Sequence, residues 1–225
     1  MLETIHDLPI TANNLFPKKT TPSSEDFSRV AQFYDSEIDK YDIGYSTPLC
    51  QAEDLVWLYL IQDMIGSKVV DIGCGTGDFL KYFQPIEYAG LDISHQMVRA
   101  ARGKHGREFM VADMHTLPFA DGYFDTLVSI YGPMSYSLTP KALIQEFARV
   151  VKPGGSLIVM PYTQRVGESQ KSPELERRLL IGDYSTATNS EIKKVFYSTE
   201  MLRELFKDFD DVRIADRPRI QDRPR

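Results

Sequence analysis

The chain has 225 residues, is 42% hydrophobic and carries a formal net charge of −6 with a pI near 5.3. That size suits one full α/β domain with a small appendage, and the acidic balance argues against a general polyanion binder while leaving a small or cationic ligand open. No run reaches the roughly 18 apolar residues of a membrane span, the N-terminus "MLETIHDLPI" lacks the basic-then-apolar order of a secretion signal, and two cysteines cannot build a disulfide framework or a zinc cluster.

Residues 1–24, with "TANNLFPKKTTPSS", are polar and without period, and read as a flexible leader. Residues 25–66 read as an N-terminal helical lid. Its first part, "FSRVAQFYDSEIDKYDIGY", is rich in aromatics. Its second, "QAEDLVWLYLIQDM", places Leu55, Leu58 and Tyr59 on successive turns and predicts "LVWLYLI" as a buried helix face.

From residue 67 to 216 strands and helices alternate. "SKVVDIG", "EYAGLDI", "REFMVAD", "YFDTLVSIYG" and "GSLIVMPY" predict five strands. "DFLKYF" predicts a helix after the first. "SHQMVRAARGKHG" predicts another, N-capped by Ser94, with Met97, Val98 and Ala101 inward. "TPKALIQEFARVVKPGG" has Thr139 as N-cap, Pro140 in the first turn, and Leu143, Phe147 and Val150 on one stripe. The rhythm breaks at about 163–194, an insertion near the open edge of the sheet. "STEMLRELFKDF" then predicts a final helix, "DDVRIAD" a sixth strand, and 217–225 an arginine-rich polar tail. The fold class is α/β: a Rossmann-like, doubly wound, mostly parallel sheet with helices on both faces and an N-terminal helical lid.

The stretch "VVDIGCGTGDF" concentrates the chemistry. Gly73, Gly75 and Gly77 follow the first strand directly, where open parallel sheets bind ligands, and bare backbone there implies close approach by a ligand. Asp92 stands nineteen positions after Gly73 at the end of the second strand, placed to accept hydrogen bonds from both ribose hydroxyls. Asp113 closes the third strand, at a depth where a carboxylate can accept from an adenine amine. A dinucleotide fits less well: its fingerprint is G-x-G-x-x-G, this turn is G-x-G-x-G, and the preceding Asp71 would repel a pyrophosphate.

Taken together, "DIGCGTGDF", "LDIS", "ADMHTLPFADGYFDTLVSIYG" and "KPGG" resemble the successive motifs of the class I S-adenosylmethionine-dependent methyltransferases, in order and spacing, over roughly Val69 to Met160. The resemblance implies S-adenosyl-L-methionine as cofactor and S-adenosyl-L-homocysteine as product. It implies Asp71, Gly73, Gly75 and Gly77 at the methionine portion, Asp92 at the ribose, and Asp113 with Met114 at adenine, flanked by Ile93. The family usually adds a seventh, antiparallel strand; "RPRIQDRPR" is too charged and proline-rich to supply one.

Methyl transfer from a sulfonium needs chiefly alignment, and a base only when the nucleophile must lose a proton. The end of the fourth strand, "SIYGPMSY", contributes Ser129 to the cofactor set and Tyr131 and Tyr136 toward substrate, with Tyr131 the candidate catalytic residue. The lid tyrosines Tyr34, Tyr41 and Tyr45 resemble the N-terminal lid aromatics of small-molecule members of the family, and could close over the sulfonium. His95 and His105 read as solvent-facing and His115 as a surface or backbone-bonded residue; no metal-ligand constellation occurs.

The expected function is methyl transfer to an O or N atom of a small molecule, by a cytoplasmic monomer or homodimer without membrane or nucleic-acid partners. The alternatives are an RNA or protein methyltransferase, for which the arginine-rich tail speaks, and a protein that binds the cofactor without transfer.

Overall fold

The computed structural model describes residues 24–163, 182–185 and 191–214. Two helices, α1 (Ser24–Tyr45) and α2 (Pro48–Ile61), precede the sheet. Its strands are β1 (Lys68–Ile72), β2 (Glu87–Asp92), β3 (Glu108–Val111), β4 (Phe124–Ser129) and β5 (Val151–Val159). Helix α3 (His95–Lys104) joins β2 to β3, and α4 (Pro140–Val150) joins β4 to β5. A hairpin of β6 (Gly182–Ser185) and β7 (Glu191–Lys194), then α5 (Thr199–Leu205), complete the described chain.

The sheet order is β3-β2-β1-β4-β5 with every neighbouring pair parallel. Strand order therefore reverses between β1 and β4, and their carboxyl ends border the ligand crevice of such sheets.

Alternation along the strands builds two layers of core. Val70, Ile72, Leu91 and Leu127 face Leu143 and Phe147 of α4 and Met201 and Leu205 of α5. Val69, Tyr88 and Val128 face the other way, against Val98 and Ala101 of α3 and Phe79. Such burial on both faces requires the near-continuous apolar runs seen in β1 and β4. The Ser94 side chain caps α3 by accepting from the Met97 N–H, and Pro140 starts α4 as the sequence predicts.

Several expectations change. "DFLKYF" makes only a 3-10 turn, Asp78–Lys81, since Gly77 in a left-handed conformation leads straight into it. Strand β5 begins at Val151, with a register shift between Phe124 and Thr126 that accommodates the Pro-Gly-Gly stretch. Asp211–Ile214 is irregular and exposed, so no sixth strand forms there. Leu55, Val56, Tyr59 and Leu60 are exposed, Tyr59 at 76%, because α2 turns its other side inward. The leader, the polar tail and most of the insertion lie outside the described residues. Among the described residues no helix is long and apolar enough to cross a membrane.

Candidate active site

Side chains beyond the ends of β1, β2 and β4 surround a cavity of about 370 Å³, within the range of small-molecule sites. The glycine turn forms its floor. Gly73, Gly75 and Gly77 all hold positive φ, at 73°, 53° and 81°, a region largely closed to other residues. Their reasons differ. A Cβ on Gly73 would strike Pro133 at 2.2 Å, and one on Gly77 would strike His105 and Phe109 at 2.8 and 2.9 Å. A Cβ on Gly75 would instead meet the Tyr41 hydroxyl at 3.2 Å, and both residues line the cavity. The protein's own packing thus excludes a side chain at Gly73 and Gly77, while Gly75 faces Tyr41 across the cavity. Gly77 does not line the cavity.

The turn is tied to β2. The N–H groups of Gly73 and Cys74 donate to the Leu91 carbonyl at 2.7 and 2.9 Å. Gly75 N–H donates to Asp92 Oδ2 at 2.9 Å, and Ser94 N–H donates to Asp92 Oδ1 at the same distance. Asp92 is 9% exposed, and burial raises its pKa despite these bonds. It lines the cavity with Ile93 beside it.

Asp113 lies at the mouth of β3. Its Oδ1 accepts from the His115 backbone N–H at 2.9 Å and pairs with the ring Nδ1 at 2.8 Å. Burial pulls its pKa up, but these His115 contacts outweigh it and hold the carboxyl below its ordinary value. Asp113 lines the cavity next to Met114. His115 is no surface residue: its Nε2 pairs with Ser137 Oγ at 2.8 Å and its ring packs on Phe27. His105, also expected in solvent, packs instead on Phe109 behind the glycine turn. His95 is exposed.

Asp71 is 2% exposed and accepts from the Tyr88 hydroxyl at 2.8 Å. Burial pushes its pKa up to about 7 against that hydrogen bond, and the Asp92 charge adds to the rise. Because the folded value lies above the unfolded one, its ionisation opposes folding: stability is lost as pH rises toward and through about 7. Attraction for a cationic ligand runs the other way, present above about 7 and lost below it. Affinity for a cationic ligand should therefore rise from about pH 6 to about pH 7.5, as the ionised fraction of such a group grows. Calorimetric titrations across that interval test this, and Asp71→Asn should flatten the dependence.

The roof comes from α1 and α2. Phe27, Val30, Tyr34, Tyr41 and Tyr45 recur on one stripe of α1 and line the cavity. The Tyr34 and Tyr136 hydroxyls share a hydrogen bond of 2.7 Å. Burial pushes the Tyr34, Tyr41 and Tyr136 phenols far above their ordinary range, so they stay neutral. Beside the stripe, Asp35 and Asp42 stand seven residues apart on one edge of α1. Asp35 accepts from Ser94 Oγ at 2.5 Å and Gln96 N–H at 3.0 Å; Asp42 accepts from Thr76 Oγ1 at 2.6 Å and pairs with Lys104.

On α2, Asp54 accepts from the Tyr82 hydroxyl at 2.9 Å and from the Tyr131 hydroxyl. Tyr131 is the sole non-glycine among the described residues with positive φ, 63°, an uncommon conformation for a bulky side chain. Burial and the Asp54 contact push its phenol far up, which favours the neutral form. Ser129 is fully buried with an unpartnered hydroxyl and does not line the cavity; Ile130 and Tyr131 do.

Sequence reasoning missed Asp35, Asp42 and Asp54. For Asp54 a signal existed: Glu53 and Asp54 interrupt an otherwise apolar helix, and such a pair needs a polar destination. Among the described residues no cluster of His, Cys, Asp or Glu is arranged to hold a metal ion.

The arrangement fits an adenosyl cofactor with a cationic end. Bare backbone at Gly75, a carboxylate at the end of β2 and another after β3 line one cavity, and no basic residue among the described ones lines it. A reversed parallel sheet with these features defines a Rossmann-like nucleoside-binding protein.

A family model described as a methyltransferase domain matches residues 70–159. Probable tRNA methyltransferase 9B of Homo sapiens is 33% identical over 136 residues, covering 60% of this chain and 29% of its own length. Ubiquinone/menaquinone biosynthesis C-methyltransferase UbiE of Pseudomonas fluorescens is 30% identical over 165 residues, covering 66% and 64%. The chain thus spans less than two thirds of either relative. Among solved structures, a chain of the complex between the Haloferax volcanii Trm112 methyltransferase activator and a methyltransferase aligns with TM-score 0.57 at 27% identity, over 78% of this chain and 74% of that one. The likeness to a methyltransferase domain is thus carried by residues 70–159, the part of the chain that holds the sheet and the glycine turn.

Proposed function

We propose that the protein transfers a methyl group from S-adenosylmethionine to an O or N atom of a small-molecule acceptor. The supporting observation is the roofed cavity, which brings the tyrosines of α1, the carboxylates of α2 and the loop after β4 around the glycine turn. When bound, the cofactor supplies an electrophilic methyl group on a positively charged sulfur. Gly75 would admit its backbone-facing portion, Asp92 would accept from the ribose hydroxyls, and Asp113 with Met114 and Ile93 would hold the base. Asp71, ionised above about pH 7, offsets the positive end. Tyr34, Tyr41, Tyr45 and Tyr136 exclude water and present ring faces to the sulfonium. Tyr131, bound to Asp54, is a positioning residue that joins α2 to the end of β4. Alignment of this kind can supply roughly 7–11 kcal/mol of barrier lowering without a dedicated base.

A nucleic-acid acceptor is the second reading, supported by relatives named as tRNA methyltransferases. Acidic cavity walls and a net charge of −6 weigh against it. Methyl-labelled S-adenosylmethionine, supplied with a metabolite extract and separately with bulk tRNA, should label the small-molecule fraction. Label entering tRNA, and fading steeply as salt is raised, would favour the second reading.

A further inference from the structure

The side of the cavity under α1 and α2, where the methyl group would be presented, has an unusual wall. It is built from Tyr34, Tyr41 and Tyr45 of α1, Glu53 and Asp54 of α2, and Tyr136 after β4. Among the described residues no lysine, arginine or histidine lines it. Asp78, which also reaches the cavity, is offset by Lys81 at 2.7 Å and Lys104 at 3.6 Å, but neither of those cations lines the space. Buried tyrosines that stay neutral keep the electron-rich ring faces that attract cations. The same cluster already receives one ammonium: Lys194 Nζ stands 5.1 Å from the Tyr136 ring centroid and 5.3 Å from that of Tyr162.

We propose that this side of the cavity selects a cationic amine, held by the tyrosine faces and the carboxylate-bearing wall of α2, and that its nitrogen is the methyl acceptor. The proposal rests on the methyltransferase reading above and narrows it. An anionic acceptor would lose its hydration against carboxylates with no lining cation to replace it, whereas an ammonium exchanges water for ring faces and negative charge.

The reaction keeps the charge in place. The ammonium first gives one proton to water, and the neutral amine's lone pair attacks the methyl carbon. The N–C bond forms as the C–S bond breaks, and the electron pair of the broken bond stays on sulfur to give S-adenosylhomocysteine. One positive charge thus passes from sulfur to the methylated nitrogen, within walls that stabilise it at both ends of the step. Transfer to an oxyanion would instead cancel that charge.

Three ligands of one shape separate the possibilities: tyramine, tyrosol and 4-hydroxyphenylacetate share a phenol ring and differ in an ammonium, an alcohol and a carboxylate. Each is titrated calorimetrically into protein saturated with S-adenosylhomocysteine. Tyramine should bind at least tenfold more tightly than tyrosol, with the carboxylate weakest. Glu53→Gln and Tyr45→Leu should each reduce the tyramine advantage by at least threefold while changing tyrosol little. Equal binding of amine and alcohol, preference for the carboxylate, or binding of none of the three would overturn the proposal. Failure of S-adenosylhomocysteine itself to bind would instead overturn the methyltransferase reading, so the two failures are distinct.

Discussion

Gly75→Val is expected to weaken S-adenosylmethionine binding at least a hundredfold, about 2.8 kcal/mol, while the chain remains folded. The backbone there holds φ at 53°, a conformation that costs a β-branched residue on the order of 1–3 kcal/mol. The new Cβ would lie 3.2 Å from the Tyr41 hydroxyl, and the valine methyls would fill space between floor and roof. Gly77→Val provides the contrast. Its Cβ would meet His105 and Phe109 below 3 Å, behind the cavity, so it should lower the melting temperature far more than Gly75→Val does. Calorimetry with the cofactor and thermal melts of both variants separate the two roles. Near-normal cofactor affinity in Gly75→Val would remove the argument for close approach at this turn.

The second large effect is at Asp92. Its carboxylate accepts from two buried N–H groups, of Gly75 and Ser94, both at 2.9 Å, as well as facing the cavity. Asp92→Ala leaves both donors without a partner, at about 1–3 kcal/mol each where water cannot replace the lost acceptor. It also removes the charge-assisted bonds offered to a ribose, worth about 1–3 kcal/mol of affinity. The variant should therefore lose stability and binding together. Asp92→Asn keeps one acceptor oxygen and should recover part of the stability but less of the affinity. Undiminished cofactor affinity in Asp92→Ala would contradict the ribose assignment.

Much of the architecture was legible because the sheet is buried on both sides. Runs such as Val69–Ile72 and Thr126–Val128 have no solvent-facing alternative, so hydrophobic periodicity and helix punctuation locate them. Prediction failed where local pattern and tertiary setting diverge. The apolar run in α2 predicts burial, yet Leu55 and Tyr59 face outward because Glu53 and Asp54 are drawn toward the cavity. "DDVRIAD" has the alternation of a strand, but its described part makes no ladder bonds, and strand propensity without a partner is weak.

At the site, the strand-end carboxylates were visible from spacing, since the ends of β1, β2 and β3 fall at fixed offsets from the glycine turn. Asp35, Asp42 and Asp54 were not, because their partners lie 59, 34 and 77 residues away or at similar distance along the chain. Glycine content likewise signals an exceptional backbone without saying which neighbour demands it. Gly77 looks like Gly75 in sequence, yet one answers to a phenylalanine and the other faces the cavity.

The fastening of the two N-terminal helices has a kinetic consequence. Asp35, Asp42 and Asp54 each reach across to hydroxyl, amide or ammonium donors on the sheet side, so much of the seam above the site is polar rather than greasy. When such a seam parts, water solvates the freed groups at once, and little of the enthalpy is forfeited. A seam held by such exchangeable bonds opens faster than a greasy one of equal area, and the core between the sheet, α4 and α5 has no share in it.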